Sequence, residues 1–386
     1  MKNIAIVTPN TDTFTNPTLT ALFQLLKEKG VEVYLFGPRQ QPGCPAGLTH
    51  VTVIPSGFRL HLFRNPKKYI SHFASYGRVL SIIRKKKIST LLAVDPLGVI
   101  IGGRIKKLFC RKLHLSYISF EIFFKEELTG HYLALKEKEI FYAAFVDSLL
   151  IQDEKRKNLL LQENRMTLSD ENIALVPVSP MKIEVKNAID IHRQLNIPPE
   201  KKLAVYSGSV GEWCGTQAII EAFDKGYWNN DYWLVFHTRK SILSDDSFYA
   251  DLKSLDADVN IPFSLHPHPF DSFEGLSGFL SGFDLALALY YPNNQNPYYG
   301  MNMKEIGLSS GKFSTYMMLG LPTIVTSCSI YEELLLKYRF GAILDDIKNF
   351  KIAIQQVEQS KNETHKLYNE ILDPEVRLMK YVDFLK

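Results

Sequence analysis

The sequence predicts two consecutive doubly wound α/β domains, and three observations lead there. Short apolar runs alternate with longer amphipathic ones along most of the chain, the pattern of a parallel sheet covered by helices. The 386 residues are 46% hydrophobic and 22% charged, which excludes a disordered or fibrous chain, and the length allows two cores. A stretch at 177–201, bearing Pro177, Pro180, Pro198 and Pro199, coincides with a change in the sign of the charge. The net charge is only +4, yet residues 1–180 carry 25 basic and 15 acidic side chains, and residues 181–386 carry 20 and 26. Two halves of opposite sign suggest two domains with different partners, 1–178 and 179–361.

Each element has a local signal. Residues 3–8 (NIAIVT) are a short apolar run, so a buried strand. Pro17 starts a helix to Lys29, which Gly30 ends. Strands are expected at 31–36, 51–54, 91–94, 114–119, 148–152 and 172–176. Helices are expected at 69–87, 99–109 and 126–145. The second series begins at Lys202, with strands at 203–207, 233–236, 259–265, 284–289 and 323–325. Helices fall near 215–225, 246–255, 271–282 and 311–319, and two more, at 348–359 and 362–385, close the chain.

Several classes are excluded. Cys44, Cys110, Cys214 and Cys328 show no C-x-x-C spacing, so neither a disulfide framework nor a zinc site is expected, and a reducing cytoplasm fits. No signal-peptide order opens the chain, and no apolar run reaches 18 residues, because Asp95 and Pro96 interrupt the best one.

In doubly wound sheets ligands bind beyond the carboxyl ends of the strands, so the residues just past each strand matter most. After 203–207 come Gly208, Ser209, Val210 and Gly211, with Gly215 before a helix; glycine lets a backbone approach a ligand, and a helix start offers amides to phosphate. The stronger segment is 305–324, EIGLSSGKFSTYMMLGLPTI. There Ser309 or Ser310 can cap a helix whose first turn holds Gly311 and Lys312. A cation at a helix N-terminus opposes the dipole, so it calls for a bound anion.

The order Lys312, Tyr316, Gly320, Pro322, Ile324 resembles the nucleotide-sugar site of GT-B glycosyltransferases, especially the family 4 type. Residues 205–208, 283–287 and 176–179 are similar to other segments of that family in the right order, as are Ser119, Phe120 and Glu121, Asp147 and residues 152–156. The resemblance implies the GT-B fold, a terminal helix at 362–386 that returns to the first domain, a nucleotide diphosphate sugar as donor substrate and no metal or other cofactor. The sequence departs from the family in two places. The second of the family's two glutamates, eight apart, would fall at Thr315, and Glu305 lies ten residues before it. The loop 209–215 also lacks the usual Arg and Lys. Lys312, the helix amides and Arg239 would then neutralise the diphosphate, with Gly208, Ser209, Ser309, Ser310, Gly311 and Thr315 as the other donor-binding candidates. Glu305 is placed near the donor sugar or ribose.

Glu121, just after the strand 114–119, is the candidate base or acceptor ligand, ranked above Asp12 and Asp95 in equivalent positions. Asp256-Ala257-Asp258 precedes a strand, where a metal-binding D-x-D would come after one, and reads as a helix end. His266 and His268 have no further ligand at metal spacing. The loop 290–300, with four Tyr and four Asn or Gln, is either a sugar-binding loop or a polar connection. Residues 64–112 hold 13 Lys or Arg against one acid, Asp95. This is either a solvated face or a surface for an anionic membrane or a lipid-diphosphate acceptor, with Leu60, Leu62, Phe63 and Phe109 as apolar contributors. Nucleic acid is disfavoured, since no recognition motif accompanies the charge.

The expectation is therefore a cytoplasmic, membrane-peripheral, metal-independent hexosyltransferase, retaining rather than inverting, serving cell-surface polysaccharide or glycolipid synthesis. A non-catalytic subunit of the same fold is the alternative, and a sugar-nucleotide epimerase a further rival.

Overall fold

A computed structural model of the chain describes residues 3–8, 15–37, 49–52, 66–185, 188–238, 247–266 and 268–385, with the side chains of 50–75 outside that description. The chain divides into two compact units, Met1–Met181 with Pro374–Lys386, and Lys182–Asp373.

The first unit is built on a seven-stranded parallel sheet. Its strands are β1 (Asn3–Val7), β2 (Val33–Gly37), β3 (Thr49–Thr52), β4 (Ile88–Val94), β5 (His114–Ile118), β6 (Ser148–Ile151) and β7 (Ile173–Leu175), in the order β3-β2-β1-β4-β5-β6-β7. Helices α1 (Pro17–Glu28), α2 (Pro66–Lys85), α3 (Asp95–Leu108), α4 (Gly130–Ala143) and α5 (Glu154–Asn164) connect them. The order reverses direction between β1 and β4, which places a switch point at their carboxyl ends. Asn16 caps α1, its side chain accepting from the Thr18 and Leu19 amides. Nearly every residue of β1, β2 and β4 is buried, as expected of strands covered on both faces.

The second unit repeats the plan with six strands: β8 (Lys202–Gly208), β9 (Tyr232–Thr238), β10 (Phe263–His266), β11 (Leu285–Ala288), β12 (Thr323–Thr326) and β13 (Gly341–Leu344), in the order β10-β9-β8-β11-β12-β13. Its helices are α6 (Ile191–Leu195), α7 (Thr216–Asp224), α8 (Tyr249–Ala257), α9 (Phe273–Leu280), α10 (Met301–Lys304), α11 (Gly311–Met318), α12 (Ser329–Tyr338), α13 (Phe350–Gln359) and α14 (Thr364–Leu367). Here the switch point lies between β8 and β11. Among the described residues, all thirteen strands pair in parallel.

Four expectations change. The helix expected at 99–109 starts at Asp95, because Pro96 has no amide to lose at a helix start. The helix expected at 126–145 is a short turn, Lys125–Glu127, with α4 after it, and Gly130 takes a left-handed conformation at the start of α4. The single helix expected at 362–385 is broken into α14, a wide turn at Tyr368–Leu372, and α15 (Glu375–Phe384). Pro374 makes the break, since its ring blocks helical continuity, and only residues from Pro374 onward belong to the first unit. Helices α5, α6, α10 and α12 and strand β13 were not expected at all.

The terminal helix α15 docks on the first unit through Leu378, Tyr381, Val382 and Leu385, all in the cluster that also holds Leu22 and Leu26 of α1. The Tyr381 hydroxyl lies 2.5 Å from Ser116 Oγ, and Lys29 pairs with Asp383 at 2.8 Å.

Candidate functional site

At the carboxyl edge of the second sheet, two segments meet that the sequence keeps a hundred residues apart. Ser310 caps α11: its Oγ accepts from the Phe313 amide at 3.1 Å and is hydrogen-bonded to the Tyr290 hydroxyl. Ser310 is thus the cap, while Ser309 ends the preceding turn with its amide on Ile306 O. The first ladder bond of the helix is Ser314 N to Ser310 O. The Gly311 and Lys312 amides precede it.

Lys312 is buried. Its ammonium lies 4.0 Å from the centre of the Tyr206 ring and 5.5 Å from that of Tyr290, so two electron-rich faces offset part of its desolvation. The same ammonium rests over Gly208 at the end of β8, where a Cβ would stand 2.9 Å from it. A larger residue there would have to displace the ammonium. Tyr316 locks the arrangement, its hydroxyl accepting from the Ser207 amide at 3.0 Å and so tying α11 to β8. Gly320 takes φ +80° where α11 ends, and a Cβ there would lie 2.5 Å from His365.

The other donor-side candidates serve the backbone or stand nearby. Ser209 is exposed, and its carbonyl accepts from the Tyr206 hydroxyl at 2.6 Å. Thr315 is buried and its hydroxyl donates to Gly311 O at 2.7 Å, so it presents helix backbone rather than a carboxylate. Glu305 comes just after α10, half-buried; with burial, its charge helps to push the Cys328 thiol up. Arg239 and Asp12 lie outside the described residues.

Sequence reading did not single out Tyr206, Tyr290 or Trp213. The Trp213 ring stacks on Tyr299 at 5.0 Å, Trp213 O accepts from the Tyr291 amide, and Gln295 donates to Glu212. The 209–215 turn and the 290–300 loop are therefore stitched together beside β8 and β11. The signal was the aromatic content of both segments; their pairing needed coordinates. Asp256 and Asp258 serve as turn acceptors, for the Leu265 and Asn260 amides. His266 stacks on Phe270 at 5.7 Å, and burial lowers its pKa.

The carboxyl edge of the first sheet carries an acid. Asp95, just past β4, is 7% exposed and holds φ +58°, a left-handed conformation that costs energy outside glycine and is frequent at functional positions. Its Oδ1 accepts from the Phe120 and Glu121 amides at 2.8 and 3.0 Å. Burial first, and the Glu121 charge second, push its pKa up to about 7, against the pull of those amides and of Arg156. Gly98 lets α3 begin this close to β1, for a Cβ there would lie 2.8 Å from Val7 O.

Glu121 is half-buried beside Asp95, on a segment fixed from several sides. Gln152 donates to Ser119 O at 2.7 Å and the buried Arg156 donates to Phe120 O at 2.8 Å. Asp147 accepts from Leu115 N and pairs with Lys106, a structural role. The fold thus brings Asp95 and Glu121 together, and Gly208 with Ser310, Gly311 and Lys312.

No family model matches the sequence, and no curated protein is similar to it in sequence. Solved structures do match along its whole length. Anabaena HepE in complex with UDP-glucose aligns over 100% of this chain and 99% of its own, at 11% identity and TM-score 0.70. WaaG, a glycosyltransferase involved in lipopolysaccharide biosynthesis, covers 99% of both chains at 13% identity and TM-score 0.63. A putative UDP-N-acetylglucosamine 2-epimerase from Listeria monocytogenes covers 99% of this chain and 95% of its own at 11% identity and TM-score 0.60. The chain has the two-domain α/β architecture called GT-B. At these identities the likeness establishes the fold.

Proposed function

We propose that the protein is a glycosyltransferase that moves a hexose from a nucleotide diphosphate sugar to a glycan or lipid-linked saccharide in cell-surface polysaccharide or glycolipid synthesis. The observation that carries this reading is the buried Lys312 ammonium, held at the first turn of α11 over Gly208. Breaking a sugar–diphosphate bond leaves charge on phosphate, and a preorganised cation with helix amides stabilises it where it develops. Lys312, the Gly311 and Lys312 amides and Ser310 would take the diphosphate, with Glu305 near the sugar or ribose. Supplied this way, the charge calls for no metal ion. The UDP-glucose bound to HepE supports a nucleotide-sugar donor on this fold.

On the first unit, Asp95, its pKa pushed up to about 7, suits a proton acceptor, because a base works best with a pKa close to the operating pH. Asp95 would meet the acceptor hydroxyl, with Glu121 as a second acceptor ligand. The anomeric configuration of the product assigns the proton. An inverted product places it on Asp95. A retained product, the course favoured from sequence, gives it to the leaving phosphate and leaves Asp95 to orient the acceptor.

The test is thermal unfolding with UDP, GDP, CDP and TDP, and then turnover of the stabilising nucleotide's sugars. Stabilisation by at least one nucleotide, lost in Lys312→Ala, is expected. No stabilisation by any of them would sink the donor assignment and leave a non-catalytic subunit. The epimerase match supports a second reading, which predicts isomerised or hydrolysed donor without any acceptor. The basic stretch 64–112 is read as the side facing an anionic membrane, with the protein at the inner face of the cell membrane.

A further inference from the structure

On the first unit, the ends of α3 and α4 form a surface that the site chemistry does not use. Leu108 is 59% exposed, Phe109 41% and Phe141 50%. The helices that carry them pack together, with Tyr142 of α4 seated on Gly103 of α3, where a Cβ would lie 2.6 Å from the ring-bearing carbon. Phe109 stands 6.1 Å from Tyr76 of α2, so three helices contribute to one face.

Cations ring these apolar side chains. The Lys107 ammonium lies 3.9 Å from the Phe141 ring centre and 5.4 Å from that of Phe145. Arg104 reaches the hydroxyls of Tyr142 and Tyr76, each at 3.4 Å. Burial and the nearby Arg104 charge together lower the Lys138 pKa. Arg111 and Lys112 come next, both exposed, and exposed Arg84–Lys87 close α2. The acids facing this surface are Glu137, exposed on α4, and Asp147, which is already paired with Lys106. Like charges are therefore gathered around exposed Leu and Phe side chains. Such an arrangement is costly in water and relieved by an anionic, partly apolar phase.

We infer that the face formed by Leu108, Phe109 and Phe141, with Arg104, Lys107 and Lys138 around them, docks on an anionic lipid bilayer. The inference rests on the membrane reading of the basic stretch and gives it a defined contact. It also moves the apolar part of that contact. Leu60, Leu62 and Phe63 lie outside the described residues, whereas Phe141 and Lys138 come from beyond residue 112. The face lies where α3 and α4 end, at the amino edge of the sheet, and Asp95 lies at its carboxyl edge, so docking and acceptor chemistry can be measured separately. Exposed Leu and Phe favour lipid over nucleic acid, whose phosphates would use the cations alone.

Flotation of the full chain with vesicles of phosphatidylcholine, and of phosphatidylcholine with phosphatidylglycerol, tests this. The wild type is expected with the anionic vesicles and not with the neutral ones. Each basic residue at such a surface strengthens binding about fivefold, so Arg111→Glu with Lys112→Glu should release the protein. Leu108→Ser with Phe141→Ser should weaken binding at least tenfold while leaving the unfolding midpoint and nucleotide stabilisation as in wild type. Equal binding to both vesicle types overturns the membrane reading altogether. Anionic preference with the Ser variant binding as wild type overturns this face alone. Duplex RNA or DNA held as tightly as the vesicles, and equally by the Ser variant, would assign the cations to nucleic acid instead.

Discussion

The two units put opposite charges at the same place in the same architecture, and each opposes the bulk charge of its own unit. In the basic first unit the carboxyl edge at the switch point holds a buried acid, Asp95; in the acidic second unit it holds a buried cation, Lys312. Asp95 is made near-neutral by burial and by Glu121, and is anchored by two backbone amides. Lys312 is received by aromatic faces and a glycine gap. The difference teaches that local desolvation and close neighbours, and not net charge, set the electrostatics of each edge.

Breaking the second edge should have the largest effect. Lys312→Ala is expected to lower turnover by about three orders of magnitude, the upper range for removing one preorganised charge partner. Lys312→Met should lose as much activity with little change in the unfolding midpoint, because a buried apolar side chain of similar length avoids the desolvation of an ammonium. Stopped assays and calorimetry on both variants check this. Turnover within tenfold of wild type would remove Lys312 from the site.

The first edge can be broken with a change of opposite sign in stability. Asp95→Asn should cost about a hundredfold in turnover, the usual scale for a lost general base. Asp95 binds its proton more tightly in the folded chain, at about 7, than at the ordinary carboxyl value of 3.8. Stability contributed by this group therefore falls as pH rises from about 4 to about 7 and is flat above. The Asn variant should lose that slope and unfold at a higher temperature than wild type at pH 8. Asn also tolerates positive φ. An unchanged pH–stability profile would show that Asp95 ionises normally.

Smaller changes sharpen the comparison. Gly208→Ala pushes on the Lys312 ammonium and should weaken donor binding about tenfold, a small displacement at a charged contact being costly. The check is a nucleotide titration, with the fold monitored by circular dichroism. Tyr316→Phe removes the bond from the Ser207 amide and should cost about 1 kcal/mol of stability, read from denaturant midpoints.

Much of this was legible in the sequence. The alternation of short apolar runs with amphipathic ones gave both sheets, because buried parallel strands are continuous apolar stretches. Lys312 stood out since a cation in a first helical turn opposes the dipole. Strand β13 was missed because GAIL is too short to show a period. Pro374 marks the break in the terminal helix within the sequence itself, because its ring blocks helical continuity. The burial and positive φ of Asp95 were not legible, because neighbours distant in sequence impose them.

By itself, then, the sequence determined the elements, their alternation and the residue types at each strand end, all set by local spacing and propensity. Tertiary structure decided which of those residues share a site. Gly208 and Lys312 meet because β8 and α11 pack side by side, and Asp95 becomes an acid of near-neutral pKa because the sheet and the 119–121 segment close around it. Long-range packing fixes both the distances and the desolvation that give these side chains their chemistry.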